Sequence, residues 1–268
     1  MLKSVLNGRH AHAFRAPASM PQKNINNIYT FPAPPRLLDA SANKRPESLT
    51  IRFSRAADLE KVVDLYSGAR KDIIDPNNFV RARSFDELAE PVRSGAAALA
   101  IDENGDIRAS ALASVYQDGK DGQNNMTEIG AVMCDVGGVG LSKIIIAMLA
   151  LKQTFDPRAG ARVYAKVAQT NDASNKIFTS SLAWNQVTCE TKSDTLFDVV
   201  YRAHGGKGFR DRLWYHFTDA SQKRAADILQ SCVDEEALKA KDGSTVALNT
   251  DRSSLWSTLH YHNMLSMS

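Results

Sequence analysis

One block constrains this chain more than any other. A strand-like run from Met126 to Cys134 enters Asp135-Val136-Gly137-Gly138-Val139-Gly140, and Leu141, Ile144, Ile145, Met148 and Leu149 follow at the spacing of one helix face. A strand that turns through glycines directly into an amphipathic helix belongs in an α/β arrangement, because that helix must bury its apolar face on a sheet. Small residues at the turn let backbone amides approach an anion, and the helix N-terminus adds partial positive charge, so the block suits a phosphate. No glycine stands three residues after Gly140, as the dinucleotide fingerprint requires, and the Lys-Ser/Thr of a P-loop is missing. A tight turn without a ligand satisfies the same residues.

The flanking pattern fits this frame. Leu49 to Phe53 predicts a strand, and Leu59, Val62, Val63 and Tyr66 predict a helix after Ser54. A second helix is predicted over Phe85 to Val92. Ala96 to Ile101 and Ile107 to Tyr116 flank Glu103-Asn104-Gly105-Asp106, a hairpin signal. Beyond the central helix, Arg162 to Ala168 reads as a strand, Ala173 to Ser181 as a helix, and Val187 to Cys189 with Leu196 to Tyr201 as closing strands. A domain is therefore expected over residues 49–202. Residues 203–268 are expected to form an extension that packs on it, with a strand at Leu213 to Phe217 and a helix from Ser221 to Ala240.

Residues 1–48 differ in kind: six of the nine prolines lie there, and no acidic residue precedes Asp39. That composition predicts an extended or flexible segment, and is compatible with an organellar transit peptide, a bacterial export signal or a plain tail. Three widely spaced cysteines argue against a disulfide framework and for a reducing, cytoplasmic compartment. Cys134 and Cys189 read as small apolar strand residues. The 33 basic and 30 acidic residues leave a net charge of +3, too balanced and too scattered for capture of nucleic acid. The longest apolar run, near Leu141 to Leu151, is too short to span a bilayer.

The order strand, helix, helix, hairpin, strand with glycine turn, helix, strand, helix resembles that of the GNAT acetyltransferases over residues 49–202. Two motifs agree. Asp135 to Gly140 is similar to the family's Gln/Arg-x-x-Gly-x-Gly/Ala loop, and Asn171-Asp172-Ala173-Ser174 through Phe178 to Ala183-Trp184 looks like its block after the next strand. The resemblance implies a GNAT fold, a mixed sheet flanked by helices, and an acetyl-CoA-dependent N-acetyltransferase. It implies acetyl-CoA as co-substrate and no metal. It further implies that Gly137, Gly138, Val139, Gly140, Leu141 and Ser142 hold the pyrophosphate through backbone amides. Strands 126–134 and 162–168 should splay, Val132 and Met133 should pair with the pantetheine arm as an added strand does, and Asn171 should hydrogen-bond the arm beside Phe178.

Direct attack by an amine needs a base, because an alkyl ammonium with a pKa of about 10.4 must lose a proton first. Glu128 is the candidate, on the face of its strand opposite Ile129, Ala131 and Met133, where family members place a catalytic Glu. A structural carboxylate is its other reading. A backbone N–H near Val132 would meet the oxyanion.

Two departures stand out. Asp135 occupies the place of a Gln or Arg, and a carboxylate beside a pyrophosphate is electrostatically unfavourable. Phe178 replaces the Tyr that often protonates the leaving thiolate, so Tyr164, Ser174, Ser180 or water would have to serve. The resemblance implies an amine-bearing small molecule, peptide or protein as acceptor. Transfer of a longer acyl group, or a catalytically silent module that binds CoA or a protein partner, remains an alternative. His260-Tyr261-His262 and His10-Ala11-His12 would place imidazole pairs on one face of a strand, without an identifiable third ligand. Trp214, Tyr215 and Phe217 read as core or as acceptor pocket, and Lys207, Arg210 and Arg212 as solvated surface.

Overall fold

The computed structural model describes residues 45–116, 125–156, 162–187 and 212–266. The architecture is mixed α/β. The first half comprises β1 (Ser48–Phe53), a 3-10 turn (Ala56–Asp58), α1 (Leu59–Tyr66), α2 (Gly68–Ile74), α3 (Phe85–Arg93), β2 (Ala97–Asp102), β3 (Ile107–Tyr116) and β4 (Met126–Cys134). There follow α4 (Leu141–Phe155), β5 (Arg162–Ala168), α5 (Asp172–Lys176) with a π-turn (Ile177–Ser181), and β6 (Asn185–Gln186). The chain ends with β7 (Arg212–His216), α6 (Asp219–Glu235), β8 (Ala237–Lys239), β9 (Thr245–Leu248) and α7 (Leu255–Ser266).

Among the described residues the strands form one sheet of order β6-β7-β5-β4-β3-β2-β1-β9-β8. The run β1 to β4 is antiparallel, whereas β4 with β5 and β1 with β9 are parallel. Strands from beyond residue 202 thus enter the same sheet as those before it. The proposed strands at 188–189 and 196–201 lie outside the described residues.

Alternation along β2 explains the two layers. Ala98 and Ala100 join Ala109, Ala111 and Ala113 of β3 under α4, while Ala97 and Leu99 point to α1 and α3. Alanines on the α4 side let that helix lie close to the sheet. Its outer side is covered by α6 and α7, so Ile144 to Leu151 are buried without interruption. The single apolar face read from spacing is therefore too modest a description. Burial of each Ile or Leu there contributes roughly 1.5–3 kcal/mol.

Boundaries shift where local backbone chemistry intervenes. α2 has no apolar periodicity of its own and was not expected. The helix predicted to reach Ala240 stops at Glu236, which adopts a left-handed φ of 49° and turns the chain into β8. The histidines His260 and His262 lie on α7 rather than on a strand. Two residues apart on a helix, they are rotated by about 200° and do not share a face. No helix among the described residues is long and apolar enough to cross a membrane.

Candidate functional site

β4 and β5 pair only from Met126↔Arg162 to Glu128↔Tyr164 and then part, while β5 stays paired with β7 on its other edge as far as Ala168. A cavity of about 290 Å³ opens in the gap. Val132, Met133 and Cys134 form one wall and Val167 and Ala168 another, with Ser142, Asn171, Ser174 and Phe178 closing it from the helical side.

The β4 wall is shaped by a bulge. Between the pairs Leu112↔Gly130 and Ser110↔Met133 the strand carries one residue more than its partner, and Ala131 takes up the strain at a φ of 50°. The bulge reverses the alternation expected for this strand: Ile129 packs in the α4 core, whereas Met133 packs with α1 and α3. Tyr66 fixes it from below. Its buried hydroxyl donates to the Ala131 carbonyl and lies 3.2 Å from Ser110 Oγ, and burial holds the phenol well above its ordinary pKa.

At the far end of β4, Gly138 and Gly140 adopt left-handed φ values of 82° and 72°, and Gly140 caps α4. Val139 and Leu141 are buried and anchor the loop to the core, while Gly137 is open around its Cα. Arg45 reaches to 3.8 Å from where a Gly138 Cβ would be. The unfavourable carboxylate of Asp135 is met by two guanidiniums: Arg108 Nε donates to Oδ1 at 2.9 Å, and Arg70 approaches Oδ2 at 3.3 Å. Arg108 also pairs with Asp102 at 3.2 Å. Burial alone would lower the Arg108 pKa, but the two carboxylates raise it overall. The loop thus does not present an uncompensated negative charge at its entrance.

A second cavity, of about 360 Å³, adjoins the first and shares Phe79, Val80, Gly130, Ala131, Lys166 and Arg212 with it. Its remaining lining brings Arg81 and Arg83 from the connection before α3 together with Tyr116, Glu128 and Trp214. Glu128 is its one carboxylate among the described residues. Its Oε2 accepts from Tyr116 at 3.0 Å and from Tyr164 at 3.5 Å, and Lys166 Nζ stands at 3.4 Å. The Glu128 side chain is only 12% exposed. Burial and the negative charge of Glu128 keep both tyrosine hydroxyls protonated far above the usual phenol range. The Lys166 ammonium is lowered, by burial first and then by Arg212 and Arg83, against the opposing pull of Glu128.

The residues expected from sequence divide clearly. Glu128 lines the second cavity, and Val132, Met133, Ser142, Asn171, Ser174 and Phe178 line the first. Asn171 Oδ1 is engaged in capping α5 through Ser174 N at 3.1 Å. Tyr164 lines neither cavity; its ring stacks on Trp214 at 5.5 Å and its hydroxyl serves Glu128. Phe178 stacks on Tyr215 at 5.5 Å and meets Trp184 edge-on. Trp214 lines the second cavity while Tyr215 and Phe217 are core. Arg212 is half-buried at both cavities rather than on a solvated surface.

Cys134 borders the first cavity, and burial raises its thiol pKa. Cys189, Lys207, Arg210, His10 and His12 lie outside the described residues. Tyr116, Lys166, Arg81 and Arg83 were missed. A lysine within the otherwise apolar run Arg162 to Ala168 was the one available signal.

The arrangement can bring two reactants together: an extended chain between β4 and β5, and a nucleophile beside a carboxylate that can take its proton. No family model and no curated protein matches the sequence. Solved structures with a similar arrangement include N-acetylglutamate synthase from Neisseria gonorrhoeae, complexed with coenzyme A and N-acetyl-glutamate. It is 12% identical with a TM-score of 0.45, over 64% of this chain and 35% of that one, so this chain spans about a third of its length. Diaminobutyrate acetyltransferase from Paenibacillus lautus, with its substrate and coenzyme A, is 13% identical with a TM-score of 0.41, over 63% and 94%. A GNAT superfamily phosphinothricin acetyltransferase from Sinorhizobium meliloti, in complex with acetyl-CoA, is 17% identical with a TM-score of 0.43, over 63% and 87%.

Proposed function

We propose that this chain is a GNAT-type acyltransferase that moves the acetyl group of acetyl-CoA to a primary amine by direct attack in a ternary complex. The observation that carries the reading is the parted pair β4 and β5. Their gap runs from Cys134 and Ser142, which flank the glycine loop, to the Glu128 cavity, the two ends that such a transfer must join.

In this reading the pyrophosphate rests on the backbone amides of Gly137 to Ser142 at the α4 N-terminus. The pantetheine arm lies along Val132 and Met133, whose edge is left unpaired by β5. Ser174 and the Asn171 side-chain amide border the arm. The amine nitrogen attacks the thioester carbon. The C–N bond forms, the tetrahedral oxyanion is met by a backbone N–H near Val132, and the C–S bond breaks. The proton lost by the amine goes to Glu128, directly or through a water, and CoA leaves as thiolate or thiol. Tyr116 and Tyr164 are positioning residues that aim the carboxylate. With Phe178 at the leaving-group side, the thiolate departs without a tyrosine acid, tolerable for a group whose pKa is about 8.5. Ser174 or water supplies the proton afterwards.

Calorimetric titration of the full chain with acetyl-CoA tests the reading. Binding, followed by thiol release when an amine is added, is the expected result. Absence of binding at millimolar cofactor removes the transferase reading and its longer-acyl variant together. Binding without thiol release from any amine leaves a silent CoA-binding module instead.

A further inference from the structure

Among the described residues, the second cavity is lined by four cations, Arg81, Arg83, Lys166 and Arg212, against the single carboxylate of Glu128. A simple cationic amine would enter it against an excess of like charge. Two of the four are already engaged: Lys166 with Glu128 at 3.4 Å and Arg81 with Glu87 at 2.6 Å. Arg83 and Arg212 form no ion pair with a described residue. Elsewhere the molecule does pair its buried and half-buried arginines: Arg52 with Asp58 at 2.8 Å, and Arg108 with both Asp135 and Asp102. Arg83 is further distinguished by a fully buried Nε that makes no hydrogen bond with a described residue. A buried guanidinium donor without a partner costs free energy unless a ligand supplies the acceptor.

The position of Arg83 is built, not incidental. Asp75 accepts from the amides of Phe79 and Val80 at 2.9 and 2.7 Å, and Lys71 Nζ donates to Asn78 at 2.6 Å. Together they pin the turn that leads to Arg83, whose own amide meets the Tyr66 carbonyl at 3.4 Å. Arg212 opens β7 and faces the same space. Both guanidiniums act on Lys166, which lowers its ammonium pKa beyond the effect of burial.

We propose that the acceptor is a small amine carrying an anionic group, a carboxylate or a phosphate, which docks on the guanidiniums of Arg83 and Arg212 while its nitrogen faces Glu128. The assignment rests on the transferase reading above and names the substrate class of that site. Arginine forks match planar carboxylate and phosphate oxygens bidentately, and the anion offsets the cavity's excess positive charge.

The test is a panel of matched acceptors assayed with acetyl-CoA: amino acids against their decarboxylated amines and methyl esters, and aminoalkyl phosphates against the corresponding amino alcohols. The same compounds are titrated onto the CoA-loaded protein by calorimetry. The anionic member of each preferred pair should be favoured by about ten- to hundredfold, in kcat/KM and in affinity, as expected for a charge-assisted hydrogen bond. Preference within the amino-acid pairs or within the phosphate pairs tells which anion is used. Arg83→Gln and Arg212→Gln should each erase most of that preference, and Arg83→Lys should restore part of it. Equal use of charged and neutral members, or variants that keep the preference, overturns the assignment. So does a fall in acetyl-CoA affinity that accounts for the whole loss in the arginine variants, because it would place the guanidiniums at the cofactor. If differential binding is found but no transfer, the anion site stands and the transferase reading falls.

Discussion

The two cavities that meet at Gly130 and Lys166 are built by different means. The first is made largely of backbone: a parted strand pair and a bulge, with the first turn of α4 at one end. The second is made of side chains delivered from the connection before α3, from β3, β4, β5 and from β7. A backbone site is determined by local conformation and so leaves a local signature in the sequence. A side-chain site depends on which distant segments the sheet brings side by side, and no spacing along the chain announces it. The contrast also separates their tolerances. Damage to the first should show in cofactor affinity and stability together, whereas damage to the second should show in rate.

Asp135→Ala offers the largest effect with which to break this contrast. It strips Arg108 and Arg70 of a shared partner, and Arg108 is 10% exposed in its side chain. A loss of about 3 kcal/mol in unfolding free energy is expected, with weaker acetyl-CoA binding, as measured by denaturant unfolding and calorimetry. Unchanged stability would mean that the pairs beneath the glycine loop do not support it. Tyr66→Phe is expected to cost about 1–2 kcal/mol, since it leaves the Ala131 carbonyl without its buried donor. Its acetyl-CoA affinity should drop while the response to acceptor is retained.

Alkaline titration of stability compares the two regions in one experiment. Tyr66 lies under the first cavity, and Tyr116 and Tyr164 beside the second, and all three hydroxyls are held above the ordinary phenol value. A raised folded-state pKa means that the unfolded chain releases protons that the folded chain keeps. Their contribution is therefore fully present below a pH of about 10 and is lost as pH rises above it, by up to about 1.4 kcal/mol per pH unit for each tyrosine. Tyr66→Phe and Tyr116→Phe should each make the slope shallower, and a slope that neither variant alters would contradict the burial argument. The smallest effect expected is that of Tyr116→Phe on turnover. Removing one of the donors to Glu128 should change kcat by roughly fivefold, about 1 kcal/mol, with acetyl-CoA affinity intact.

The same contrast accounts for what was legible in the sequence. Glycines at Gly138 and Gly140, the periodicity of Leu141 to Leu149 and the strands Met126 to Cys134 and Arg162 to Ala168 are local facts, and they place the glycine loop and the gap. The β4 bulge was invisible, because Ala131 carries no glycine to flag its positive φ. Its reversal of the strand alternation therefore escaped as well. Glu128 was proposed from its strand position and the family resemblance, but the side chains that surround it were not. Tyr116 and Lys166 reach it only through the register of β3, β4 and β5. Arg83 and Arg212 are separated by well over a hundred residues in sequence, yet line one cavity. The parallel pairing of β1 with β9 and the cover of α6 and α7 over α4 escaped for the same reason.

The central claim is that the carboxylate of Glu128, in the second cavity, takes the proton of an attacking amine. Thiol release from acetyl-CoA, followed across pH for the native chain and Glu128→Gln with saturating acceptor, tests it directly. The account predicts a rate lowered by about a hundredfold or more, a changed pH dependence, and acetyl-CoA affinity close to native. A variant with native rate and native pH dependence would contradict it and remove Glu128 from the chemistry.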